Sequence, residues 1–142
     1  MRVSLKPEEQ TAISAVEARF SERARHPVTL DSLLAEWEQF VSEVEQGYAL
    51  FVYEYLNDLT TRDLVEELLD SVPKSLQKKI AISVQPLDAR FKAATEPDDD
   101  SRLSRYFRVR AKWWWRRIPT KLVGSLAEDL ALVVPGGGPE GL

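Results

Sequence analysis

Cysteine is absent from this chain of 142 residues, and histidine occurs once. Without cysteine there is no disulfide scaffold, no thiolate-bound zinc and no thiol nucleophile. The one histidine, His26, precedes Pro27 in an expected loop, which argues against nucleophile–histidine catalysis. A di-iron bundle would need Glu-x-x-His pairs, and these are missing. The only glycine cluster, 136–138, has no lysine after it, so no phosphate-cradling loop is present. No calcium-loop spacing of acids occurs. No apolar run approaches the roughly 18–20 residues that span a bilayer. The N-terminal stretch MRVSLKPEEQ lacks the apolar region of a secretory signal, so a cytoplasmic location is expected. No cofactor or metal is expected.

What is present is the composition of a folded domain, 44% hydrophobic and 30% charged. The length suits one domain with one core. The net charge of −4 conceals an asymmetry. Residues 31–70 hold eleven acids and one base, Arg62, whereas residues 71–121 hold thirteen bases and five acids. Either these stretches neutralise each other when packed, or one stays exposed and steers a partner of opposite charge.

Hydrophobic spacing points to helices. Pro7 and two acids open a first helix that reaches about Arg25, with Ile13, Val16 and Phe20 on one face. His26-Pro27 ends it. Thr29 is the expected N-cap of the next helix. With Leu30 at zero and 100° per residue, Leu33, Leu34, Trp37, Val41, Val44, Tyr48, Phe51, Val52, Tyr55 and Leu59 all fall within about 60°. The stripe keeps its phase across Gly47, so the spacing favours one central helix over 30–59, roughly 45 Å long. A glycine inside it would cost about 1 kcal/mol relative to alanine. A break at Gly47 is the alternative. Leu50 and Tyr53 extend the apolar surface, so the second half is expected to be the more buried.

Thr60 reads as a fresh N-cap, with a short helix ending near Ser71. From Lys74 to Ala94 one apolar phase continues, and Pro86 either kinks that helix or starts another. Residues 96–100 read as a charged turn or mobile loop. Residues 101–118 show both helical and alternating spacing, through Tyr106, Phe107, Val109 and Trp113, and are read as a loop followed by a helix. Pro119 ends it. Thr120 caps a last helix with Leu122, Leu126, Leu130 and Val133 on one face. Residues 135–142 read as a flexible tail. The expectation is an all-α, single-domain bundle over 1–134, with five or six helices around the long one and no convincing β pattern outside 101–118.

Three candidate sites stand out. Glu36, Glu43 and Glu54 lie at about 220–240° on the central wheel, a carboxylate line that suits a basic protein partner or is an ordinary solvated flank. Glu54, Asn57, Asp58 and Asp63 form an oxygen-rich cluster that suits Mg²⁺, a small ligand or carboxylate acid/base chemistry, provided they converge. The alternative for them is helix capping and ion pairing. The stretch Arg105–Arg117 interleaves bases with Trp113, Trp114 and Trp115. Such a patch binds nucleic acid, contacts a protein through Trp114, Arg116 and Arg117, or anchors a core.

The run Gly47-Tyr48, then Tyr53-Glu54-Tyr55-Leu56-Asn57-Asp58-Leu59 and Arg62-Asp63, with Leu87-Asp88-Ala89-Arg90-Phe91 and the three tryptophans, resembles small uncharacterised all-helical bacterial cytoplasmic proteins. The resemblance implies no activity. Some small acidic proteins of that kind neutralise toxins. The reading is a non-enzymatic protein-binding module whose acidic helical face recognises a basic partner, with toxin neutralisation as one instance. An enzyme or ligand binder, or a nucleic-acid binder, is the alternative.

Overall fold

The computed structural model describes residues 4–108 and 110–131, so Val109, Val133 and the expected tail over 135–142 lie outside the described residues. The chain is predominantly helical. Its α-helices are α1 (Pro7–Ala24), α2 (Leu30–Gln46), α3 (Val52–Asp70), α4 (Lys74–Ala93) and α5 (Gly124–Ala131). Two short strands, β1 (Thr95–Pro97) and β2 (Arg117–Pro119), pair antiparallel with Glu96 opposite Ile118. No described helix is long and apolar enough to cross a membrane.

Local chemistry sets the helix ends. The Lys6 N–H donates to the Glu9 carboxylate at the start of α1, and Arg25 in the left-handed region closes its end. Thr29 caps α2 as expected. Its hydroxyl accepts from the Ser32 N–H, and its own N–H donates to Ser32 Oγ, both at 3.0 Å. α4 runs through Pro86 as one helix, although proline has no N–H for the bond back to Ile82.

The expected single helix over 30–59 is two helices. α2 stops at Gln46, and Gly47 takes φ +119°, a region open to glycine and unfavourable for other residues. The Gly47 N–H closes the last turn on the Glu43 carbonyl. A Cβ at Gly47 would stand 3.1 Å from Val123 Cγ2, so glycine also permits close approach of the 121–123 segment. α3 then starts where the Asp129 carboxylate accepts the Val52 N–H. The expected second start at Thr60 is likewise absent. Thr60 lies inside α3, its hydroxyl donating to the Asn57 carbonyl, because the buried stripe continues through Tyr55, Leu59, Arg62 and Val65.

Residues 101–118 differ from the expected loop and helix. They form 3-10 turns at Leu103–Arg105 and Trp113–Arg116, and the last of these residues leads into β2. The expected charged turn over 96–100 is partly strand. Asp98 is its pivot, accepting the Arg102 and Leu103 N–H groups on its two carboxylate oxygens. Thr120 bonds to the Ala94 carbonyl instead of capping α5. Leu126 and Leu130 are buried as expected.

Contacts divide the chain into two compact units. Unit 1 comprises Met1–Gln39 and Thr61–Ala89, and unit 2 comprises Phe40–Thr60 and Arg90–Leu142. Unit 1 closes around aliphatic side chains, among them Ile13, Val16, Leu33, Leu34, Val65, Leu68 and Ile80, with Phe20. Within it Arg62 is only 5% exposed. Its guanidinium donates Nε and Nη2 to the two Asp88 oxygens at 3.0 and 2.9 Å, and Nη1 to Glu66 at 3.0 Å. Trp37 Nε1 also donates to Asp88. Burial lowers the Arg62 pKa, but the hydrogen bonds and charges of Asp88 and Glu66 outweigh it, and the net shift is upward. Unit 2 closes around rings. Phe40 packs edge-on against Tyr48 and Tyr55 at 5.5 and 5.4 Å, and against Phe91 at 5.8 Å.

Candidate functional site

The three expected sites meet different fates. In the carboxylate line, Glu36 and Glu43 share a face of α2, but the break at Gly47 puts Glu54 on another helix. Glu36 and Glu54 are exposed and Glu43 is half-buried. Their neighbour Glu45 is held by Arg90 through two bonds of 3.0 and 2.7 Å. That hydrogen bond from Arg90 keeps the Glu45 carboxyl below its usual range. The acidic and basic stretches therefore neutralise each other in part inside the fold. Arg62, the one base of the acidic stretch, takes Asp88 from the basic one.

The oxygen cluster does not assemble at one point. Asp63 sits nine residues after Glu54 on α3, about 180° around the helix. It belongs to unit 1, whereas Glu54, Asn57 and Asp58 belong to unit 2. Asp58 accepts a 2.7 Å hydrogen bond from the Tyr48 hydroxyl. Burial, reinforced by this carboxylate, raises the Tyr48 pKa well above 10.0. Among the described residues no three His, Asp or Glu side chains are grouped to hold a metal ion.

The tryptophan–arginine stretch divides its labour. Trp114 is 2% exposed and Trp115 1%, so both are core, and Trp113 is half-buried under Lys92 Nζ, 4.4 Å from its ring centre. A 3-10 turn distributes the three rings, which one α-helical face does not hold. Arg117 spends its guanidinium on Thr95 Oγ1 and on the Thr95 and Lys92 carbonyls. The Tyr55 hydroxyl donates to the Arg117 carbonyl. Arg116 is exposed, and its carbonyl accepts the Asp98 N–H.

A feature outside these expectations lies in unit 2. Tyr53, Leu56, Asn57 and Thr60 of α3 form one wall of a groove of about 220 Å³. Phe107, Arg110 and Trp115 form the rest. The α3 residues line up because steps of three and four bring them to one helix face. Trp115 is the buried floor. Phe107 stacks over it at 6.5 Å between ring centres, and the Arg110 guanidinium lies 5.1 Å from the Trp115 ring. Tyr106 holds Tyr53 edge-on at 5.8 Å and anchors to α5 by donating to the Asp129 carbonyl.

Large apolar side chains of unit 2 stand in solvent. Leu50 is 47% exposed, Phe51 59%, Tyr53 62% and Phe107 49%. The expectation that Leu50 and Tyr53 add to the burial of 48–59 is not met. Tyr48, Val52, Tyr55, Leu56 and Leu59 are core, but Leu50, Phe51 and Tyr53 are exposed. The only cue in the sequence was the excess of apolar positions around the start of α3. An excess over what one buried face requires marks either extra burial or an interaction surface, and here it marks exposure.

No family model, curated protein or solved structure matches the chain.

Proposed function

We propose that the chain is a non-enzymatic module that binds another protein, and that the aromatic surface of unit 2 is its contact face. One observation carries the reading: Tyr53 and Phe107, 62% and 49% exposed, line a groove with a buried tryptophan floor, and Leu50 and Phe51, close to Tyr53 in sequence, are also exposed. Isolated exposed apolar residues are ordinary on a protein surface, but a group of large ones with a shaped recess is typical of a binding face. Tyrosine and arginine, both present at the groove, are enriched among residues that dominate interface energies. Occlusion of a toxin's working surface is one form such binding takes.

The acidic helical face first suggested by the sequence has less support as the recognition element. Glu45 is engaged by Arg90, and Glu36 and Glu54 lie on separate helices. Affinity capture from the source organism's lysate tests the proposal, comparing the wild-type chain with Tyr53→Ser/Phe107→Ser. A protein retained by the wild type and lost with the double variant supports it. Identical capture profiles for the two refute it.

A further inference from the structure

We infer that the unit 2 groove accepts a large apolar side chain from an acidic segment of its partner. This rests on the protein-binding reading above and specifies the chemistry of the ligand.

Shape and charge converge on that occupant. The groove is walled by Tyr53, Leu56 and Phe107 and floored by Trp115, with Asn57 and Thr60 supplying the polar edge. An apolar side chain of phenylalanine or leucine size matches the lining, and the segment carrying it would run past the cations around Arg110. From Ser101 to Ala127 the chain contains no acid. Arg105, Arg108, Arg110, Lys112 and Arg116 of that stretch are all exposed. The two carboxylates that α3 contributes to unit 2 are turned aside. Glu54 and Asp58 are offset from Tyr53 by about 100° and 140° around the helix, whereas Leu56, Asn57 and Thr60 stay within about 60° of it. The one charged side chain lining the groove is thus a cation, within a base-rich stretch of a chain whose net charge is −4. Like-charge rejection of basic segments and attraction of acidic ones follow from the same arrangement. Nucleic acid also carries negative charge and flat rings. It is the weaker match, since Leu56 and Phe107 line the groove with apolar surface that a phosphate backbone does not satisfy.

Fluorescence anisotropy tests this with the full chain and a labelled decapeptide in which four acidic residues flank each side of a Phe-Leu pair. Comparison probes are the same peptide with lysines for acids, the same with serines for Phe-Leu, and a ten-nucleotide oligo-dT. The acidic Phe-Leu peptide should bind most tightly. Its affinity should fall about tenfold with Tyr53→Ser/Phe107→Ser and severalfold with Arg110→Gln, and should weaken as salt rises. Circular dichroism should report folded protein for each variant, since the replaced side chains of the double variant are largely exposed. Equal binding of the lysine peptide, indifference to the variants, or tighter binding of oligo-dT would overturn the inference. If the peptide does not bind while lysate capture still depends on Tyr53 and Phe107, only the acidic chemistry is refuted and the protein-binding reading stands.

Discussion

The two units of the molecule use their hydrophobic residues differently. Unit 1 encloses aliphatic side chains and a buried Arg62–Asp88 pair, and Ile82 is the one large apolar side chain it exposes substantially among the described residues. Unit 2 encloses a ring cluster built on Phe40, Tyr48, Tyr55 and Phe91, yet leaves Leu50, Phe51, Tyr53 and Phe107 in solvent. A chain under selection for stability alone has little reason to expose rings beside a core made of rings. The difference is why the proposed contact face is assigned to unit 2: unit 1 exposes one large apolar side chain among the described residues, and unit 2 exposes several.

Arg62 offers the largest test of that contrast. Arg62→Met should destabilise the fold by about 3–5 kcal/mol in urea denaturation, because Asp88 keeps its buried charge and loses two bonds. Adding Asp88→Asn, which leaves an oxygen for Trp37 Nε1, should recover part of the loss. A loss below about 1 kcal/mol from the single variant would show that the pair is not the interior device described here. Gly47→Ala comes next, at about 1–3 kcal/mol, from a positive φ and a Cβ placed 3.1 Å from Val123. Full stability in that variant would mean that the α2–α3 break tolerates an ordinary backbone.

These two positions also explain what was hidden in the sequence. The helix starts at Pro7 and Thr29 were legible because caps and dipole effects are local. The break at Gly47 was not, since the apolar phase happens to agree on both sides and only a long-range neighbour, the 121–123 segment, favours a turn there. The continuity of α3 through Thr60 was obscured because Arg62 occupies a position of the buried stripe. A charged residue there reads as the end of an apolar face unless its partner, 26 residues away, is known. The 95–119 region was illegible because 3-10 turns and three-residue strands are too short to show a period. The candidate site was half visible. The basic and tryptophan-rich stretch stands out in the sequence, but the groove also needs Tyr53 and Leu56 from a distant helix; Tyr53 reads as an extension of the buried surface, and Leu56 falls outside the apolar stripe.

A smaller effect sharpens the comparison through pH. Burial raises the pKa of Tyr48 and of Tyr55 above the usual 10.0, with the Asp58 carboxylate adding to the shift at Tyr48. Below pH 10 both hydroxyls are neutral folded or unfolded. Above it the unfolded chain releases protons that the folded chain retains, so stability falls as pH rises through 10 and beyond. Denaturation at stepwise alkaline pH should show a shallower decline for Tyr48→Phe than for the wild type. An unchanged slope would remove the buried ring cluster from the account of unit 2. The smallest expected effect is that of Tyr53→Ser/Phe107→Ser on stability, within about 0.5 kcal/mol by thermal denaturation, as for exposed positions generally. A loss of several kcal/mol would reassign those rings to the core.

Quantitative lysate capture tests the central claim most directly when Ile82→Ser is added as a comparator, because Ile82, at 72% exposure, is the most exposed large apolar side chain described and belongs to unit 1. The account predicts that the protein retained by the wild type is lost with Tyr53→Ser/Phe107→Ser and kept with Ile82→Ser. Loss with Ile82→Ser and retention with the double variant would contradict it.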